Sequence, residues 1–260
     1  MNKNCLKNDL DPFNAIEILK YRYNDKKEHP YYMRTFGTLC FCGGQGYGKT
    51  ISVVQYIDKL MKTYPYAILV SNIKLRDYPF NATYKRFEGH TDILYHNQEK
   101  VDFEWLQSHN ERICIEYDGL DTLKYIENSE YGVIYLIDEI HLELNSLESK
   151  NVDIDIMTEI SQQRKQRKHI VGTSQIFKRM AKPLREQIHD FVICRCFFGF
   201  IQYNKWADQE HIEESDNGLK IQAQGRFLWF HSVDMYKQYD TYAKMKRYSN
   251  EWNGRKRIDY

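Results

Sequence analysis

The sequence has no long hydrophobic run. Its most apolar stretch, Phe191 to Ile201, is short and carries Arg195. No integral membrane segment is therefore expected, since a spanning helix needs about 20 apolar residues. Met1 to Leu10 is polar and lacks the apolar core of a secretory signal, which points to a cytoplasmic chain. Charge of one sign is also missing: 37 Lys and Arg face 36 Asp and Glu, leaving +1. That excludes a global basic field. There is no C-x₂-C pair, the usual mark of a structural zinc site. Instead, six cysteines stand at 5, 40, 42, 114, 194 and 196, four of them in two Cys-x-Cys pairs. On strands, residues i and i+2 share a face. If those two strands were neighbours, four thiols could converge. The plainer expectation is reduced cysteines acting as small core hydrophobes. No repeat and no low-complexity linker breaks the chain. At 260 residues it has length for one large α/β core with a small appendage.

Residues 43–50 read Gly-Gly-Gln-Gly-Tyr-Gly-Lys-Thr, which fits G-x-x-x-x-G-K-T. An apolar and β-branched run, Thr35 to Cys42, precedes them, and a helical pattern from Ile51 to Leu60 follows. Strand, glycine loop and helix form the setting in which this pattern cradles phosphate. Glycine lets backbone approach a triphosphate without Cβ clashes. The loop N–H groups and the helix N-terminus then face the anion. Gly43, Gly44, Gln45, Gly46, Tyr47, Gly48, Lys49, Thr50 and Ile51 are thus the candidate ATP contacts. Lys49 is expected to reach the β- and γ-phosphates, and the Thr50 hydroxyl to ligate Mg²⁺.

Such a loop needs a metal-holding acid. Val133 to Ile137 is continuously apolar and ends in Asp138-Glu139. A run of this kind reads as a strand buried on both faces of a parallel sheet, and ligands bind at the carboxyl ends of such strands. Asp138 is therefore the second candidate for the Mg²⁺ shell. Glu139 is the candidate base for an attacking water, which suggests hydrolysis rather than transfer to a second substrate. A third strand candidate, His169 to Gln175, also ends in polar residues. Gln175, ahead of Ser174, is the candidate for orienting water or sensing the γ-phosphate.

The remaining pattern alternates strands and helices, which predicts a mostly parallel α/β sheet. Asp11-Pro12 opens a helix expected to run to Tyr23. The phosphate-loop helix should end near Thr63, and Tyr66 to Asn72 reads as the next strand. Residues 73–130 read as irregular, with one strand at Ile113–Tyr117 and short helices near 102–108 and 121–128. Residues 152–168 look helical, and Pro183 should start a short helix. Asp190 to Tyr203 reads as one long strand, Arg226 to Phe230 as another, and Met235 to Tyr248 as a C-terminal helix. The expected division is an N-terminal helical segment at 1–34, a core at 35–200 and a hairpin-and-helix extension at 201–260.

Charge is patterned locally. From Ser161 to Arg185 there are Arg164, Lys165, Arg167, Lys168, Lys178, Arg179, Lys182 and Arg185, with no acid. A basic stripe beside an ATP site suggests a polyanion partner. Arg164, Arg167, Lys168, Lys178 and Lys182 are the candidate nucleic-acid contacts.

Gly43 to Thr50, Ser71-Asn72-Ile73, Tyr135 to His141, Arg164 to Gln175 and Pro183 to Gln187 together resemble P-loop ATPases of the FtsK–HerA type. Within that group the chain is most similar to the Zot-like phage assembly and DNA packaging ATPases, over residues 35–200. The resemblance implies a RecA-like P-loop NTPase sheet in which the strand after Gln175 lies beside the phosphate-loop strand. It implies a ring of identical subunits that moves DNA, with a capsid, portal or membrane assembly as a further partner. It also implies a place in the host cytoplasm, peripheral to a membrane or capsid. Gln175 maps onto the polar strand-end residue of that group. Arg185 is the candidate arginine reaching a neighbour's nucleotide, with Arg164, Arg167 and Arg179 as rivals. Many Zot-like proteins carry a membrane helix after the ATPase domain, and this chain shows none, which favours packaging or soluble transfer over extrusion. Conjugative transfer, an AAA+-like helicase loader and a nucleotide-gated scaffold are the competing readings.

Overall fold

The computed structural model describes residues 12–35, 37–143, 154–175, 185–215 and 218–239. They fall into two compact units, Met1–Tyr32 and Met33–Tyr260. The first contains a helix, Pro12–Glu28, that runs past the expected end at Tyr23. Lys26 and Lys27 in its last turn favour that extension by opposing the helix dipole.

In the second unit the strands are β1 (Gly37–Cys42), β2 (Ile68–Ser71), β3 (Ala82–Phe87), β4 (His90–Tyr95), β5 (Glu99–Lys100), β6 (Cys114–Glu116), β7 (Val133–Ile137), β8 (Lys168–Ser174), β9 (Ile188–Phe197), β10 (Ile201–Asp208), β11 (Ile212–Ser215), β12 (Gly218–Ile221) and β13 (Gly225–Phe230). All but β11 and β12 join one sheet, in the order β13-β10-β9-β1-β8-β7-β2-β6-β3-β4-β5. From β9 to β3 the neighbours are parallel. At either end antiparallel strands are added, β10 and β13 on one side, β4 and β5 on the other. β11 and β12 form a separate hairpin. This is the expected α/β class, with β9 beside β1 as the resemblance implied. Residues 201–208 and 225–230 continue the main sheet.

Both faces of the sheet are covered. Helix Lys49–Thr63 lays Val53, Val54, Ile57, Leu60 and Met61 on Leu39, Phe41, Leu69, Leu136 and Val171. The other face carries Trp105, Leu106, Leu123, Ile126, Ile156 and Ile160 over Ile68, Val70, Val133, Tyr135, Ile137 and Ile170. Each such apolar side chain contributes about 1.5–3 kcal/mol by leaving water. β7 and β8 sit mid-sheet and every residue of both is buried, which fixes where their carboxyl ends emerge.

Three expectations are corrected. Residues 73–130 are not mainly irregular: they hold the antiparallel meander β3–β4–β5, turned at Gly89 with φ 88. The long strand expected at 190–203 is a hairpin, broken where Phe198 and Gly199 take positive φ and Phe200 N–H returns to the Phe197 carbonyl. The helix expected at 152–168 stops at Gln162, and Arg167 at φ 51 turns the chain into β8. The two cysteine pairs do not converge, and Cys40, Cys42 and Cys194 are free and buried, in line with the plainer expectation. Cys42 is in register with Ile193, so Cys40 and Cys42 share one face of the sheet and Cys194 lies on the other. Burial pushes the Cys194 thiol up to about 12. The helix expected from Pro183 starts outside the described residues. Beyond the one-turn helix Val233–Tyr236, so does most of the one expected at Met235–Tyr248. No described helix is long and apolar enough to cross a membrane.

Candidate active site

β1 ends at Cys42 and the chain turns at once into the glycine loop. Gly43 N–H reaches the Ser174 carbonyl at 3.2 Å, the last rung between β1 and β8. Gly46 and Gly48 adopt φ 76 and 75, and Gly48 caps helix Lys49–Thr63. The loop tip, Gln45 to Tyr47, is exposed while Lys49 is buried. Lys49 Nζ donates to the Gly44 carbonyl at 3.2 Å, curling over its own loop. An ammonium carries three donors, so it keeps capacity for an anion held in the same curl.

β7 and β8 deliver the rest. Thr173, near the end of β8, works as a peg between two acids. Its hydroxyl donates to Asp138 Oδ1 and accepts from Glu139 N–H at 2.9 Å. Asn72, just past β2, brackets the Asp138 backbone: Nδ2 donates to the Asp138 carbonyl at 3.0 Å, and Asp138 N–H donates to Asn72 Oδ1 at 2.8 Å. Burial raises the Asp138 carboxyl to about 6, opposed by hydrogen bonds from Thr173 and Thr50 and by the charge of Lys49. The Thr50 hydroxyl and the Asp138 carboxylate are thus already partners. Two hard oxygen ligands side by side fit Mg²⁺.

Glu139 sits at φ 54, an uncommon conformation for a residue with a Cβ. The turn is anchored by the next residue: Ile140 is buried and packs onto Gly172, where a Cβ would meet it at 3.0 Å. Glycine at 172 gives Ile140 room to pack closely on the sheet, next to the turn that carries Glu139. Gln175 Nε2 donates to Glu139 Oε1 at 2.8 Å, and His141 Nδ1 lies 3.2 Å from Oε2. Gln175 thus orients one carboxylate oxygen, while Oε2 is buried with no hydrogen-bond partner among the described residues.

The structure therefore brings together Lys49, Thr50, Asp138, Glu139 and Gln175. It adds Asn72, Thr173 and His141, for which the sequence suggested no role. Asn72 and His141 stood inside recognised motifs, and their position at strand ends was the signal available.

The basic stripe is divided. Lys168, a candidate DNA contact, is 1% exposed. Its Nζ donates to the Leu123 carbonyl at 2.6 Å and lies 3.4 Å from Glu159. Lys168 is corrected to an interior residue, drawn in because it opens a strand buried on both faces. Arg167 is half-buried, donates to the Met33 carbonyl at 2.8 Å and pairs with Glu130. Arg164 and Lys165 are exposed. All four lie at the amino end of β8, a strand length of about 20 Å from its carboxyl end. Arg185 precedes β9, whose first residue Ile188 is in register with Thr38 at the start of β1. It too lies at the amino edge, out of reach of its own phosphate loop. Lys178, Arg179 and Lys182 lie outside the described residues.

No protein-family model and no curated protein sequence matches the chain. Among solved structures it is similar to the N-terminal domain of zonular occludens toxin from Neisseria meningitidis, at 15% identity and a TM-score of 0.48, covering 79% of this chain and 100% of that one. It is also similar to the genome packaging NTPase B204 from Sulfolobus turreted icosahedral virus 2 in complex with ATP-gammaS, at 11% identity and a TM-score of 0.41, covering 61% and 74%.

Proposed function

We propose that the chain is a Mg²⁺-dependent ATPase whose hydrolysis drives the movement of DNA, working as a ring of identical subunits in the cytoplasm. The observation that carries the hydrolase reading is the convergence of Thr50, Asp138 and an oriented Glu139 beside the glycine loop. Gly43 to Ile51 wrap the triphosphate, and Lys49 offers its charge to the β- and γ-phosphates. Thr50 and Asp138 would hold Mg²⁺, which supplies positive charge against the phosphates when bound. Glu139 accepts the proton of the attacking water, and the Gln175 amide keeps the carboxylate aimed.

The DNA-moving part rests on other features. It draws on the motif resemblance, on exposed Arg164 and Lys165, and on Lys178 and Lys182 as further phosphate contacts. Arg185 at the amino edge suits a residue that acts in a neighbour's site. A capsid, portal or membrane assembly is the corresponding docking partner. The test is phosphate release by purified protein with Mg²⁺, with and without DNA, beside Lys49→Ala. Turnover that needs Lys49 and rises on adding DNA is expected. Lys49-dependent turnover indifferent to DNA would leave an ATPase without the motor. No turnover at all would end both halves.

A further inference from the structure

The back of the phosphate loop is closed by a side chain that no motif contains. Gln202, on antiparallel β10, is fully buried. Its Nε2 donates to the Tyr47 carbonyl at 3.1 Å and to Asn204 Oδ1 at 2.7 Å. A carbonyl only accepts, so Tyr47 fixes which end of the amide is nitrogen. The oxygen end then faces Gly48, where an added Cβ would lie 2.0 Å from Gln202 Oε1. The last glycine of the loop is thus required by Gln202 as well as by phosphate. Asn204 extends the contact, donating to Ser52 Oγ at 3.1 Å in the first turn of helix Lys49–Thr63.

A second line of bonds reaches Gln202 from the other side. His231 Nε2 lies 3.0 Å from Gln202 Oε1, which only accepts, so this nitrogen carries the proton. His231 Nδ1 meets the Tyr236 hydroxyl, whose one proton serves either that nitrogen or the Gly199 carbonyl 2.6 Å away in the β9–β10 turn. Loop residues Gln45 to Tyr47 are exposed. A planar trans peptide points its C=O and N–H in opposite directions. Holding the Tyr47 carbonyl on β10 therefore turns the Gly48 N–H away from β10.

We propose that Gln202 is a positioning residue for the phosphate loop: it holds the Tyr47–Gly48 peptide in the orientation that receives phosphate, and His231 holds Gln202. The nucleotide half of this statement rests on the reading of the loop as an ATP site. Gln202→Met keeps the shape and removes the hydrogen bonds, and Gln202→Glu removes the donors and adds negative charge.

Two readouts separate the possibilities. Amide hydrogen exchange over residues 43–50, without nucleotide, should quicken about tenfold in Gln202→Met while β7 and β8 keep their protection. The Kd of a fluorescent ATP analogue should rise about tenfold in Gln202→Met and further in Gln202→Glu, a loss expected when a buried carbonyl forfeits its donor. His231→Phe should weaken binding less, about threefold, and should add nothing on top of Gln202→Met. Ile115→Val, a core change on β6, serves as the structural control: it lowers the melting temperature without moving Kd. Loop exchange and Kd both at wild-type values in Gln202→Met would overturn the proposal. Wild type failing to bind the analogue would remove the ATP reading, while loop exchange would still decide the role of Gln202. If Gln202→Met does not fold, His231→Phe carries the test, and unchanged loop exchange there counts against the proposal.

Discussion

The two edges of the central sheet use the same kinds of residue for opposite ends. At the carboxyl edge Asp138, Glu139 and Asn72 are half-buried and Gln175 is exposed, with each side chain held by a neighbour. At the amino edge Lys168, Arg167 and Gln163 spend their polar atoms inside the protein, on the Leu123 carbonyl, the Met33 carbonyl and Thr38 Oγ1. Strand direction makes the difference. At the carboxyl ends the chain leaves the sheet through turns that open toward the glycine loop. At the amino end of β8 a helix-to-strand connection draws Arg167 and Lys168 inward and leaves Arg164 and Lys165 exposed. A basic run in sequence is therefore not a basic surface until the fold says which edge it occupies.

The strongest way to break this contrast is to find catalysis at the amino edge. As the candidate trans arginine, Arg185→Ala should cut turnover by ~10³–10⁵ while sparing nucleotide binding. Doped into wild type it should depress turnover more than in proportion to its share, measured as phosphate release against mixing ratio. Equal turnover in the pure variant would confine catalysis to the carboxyl edge.

Lys168→Ala sharpens the contrast from the structural side. It should lower unfolding stability by about 2 kcal/mol, read in a urea titration, because it empties a filled site and removes the partner of a buried carbonyl. DNA affinity should stay unchanged.

Asp138 gives a pH signature. Its folded-state pKa, about 6 through burial, exceeds the unfolded value. The folded protein then binds the proton more tightly, so without divalent metal this group adds stability as pH falls from about 6 toward 4, and withdraws it as pH rises. Asp138→Asn should accordingly stabilise the metal-free protein by about 1–2 kcal/mol at pH 7 in a thermal melt, and flatten that pH dependence. With Asp138 as the proposed Mg²⁺ ligand, the metal has to displace its proton below pH 6, so Mg²⁺-dependent nucleotide binding should weaken by up to about tenfold per unit there.

The smallest effect belongs to the exposed charges. Arg164→Ala with Lys165→Ala should flatten the salt dependence of DNA binding by up to about two units of slope, because a phosphate that no side chain neutralises keeps its condensed counterion.

Much of the carboxyl edge was legible. The glycine loop has fixed spacing, and Val133–Ile137 is apolar without interruption, so Lys49, Thr50, Asp138 and Glu139 stood out from local pattern alone. Other features depend on distant partners. Lys168 looked like a surface charge because nothing in sequence shows the Leu123 carbonyl that receives it. The β3–β4–β5 meander was missed because most of its residues are exposed or half-buried, so its apolar alternation is faint. The hairpin at Phe198-Gly199 was hidden inside an apolar run. Gln202 reaches Tyr47 across 155 residues, and no periodicity points to it.

The measurement that bears most directly on the account is ATP turnover by Glu139→Gln, taken with its nucleotide Kd. The substitution keeps size and the contact with Gln175 but removes the proton acceptor. The expected result is turnover lower by ~10²–10⁴ with Kd close to wild type. Hydrolysis at the wild-type rate, in the presence of Mg²⁺ and DNA, would contradict it and send the search for the base elsewhere along the carboxyl edge.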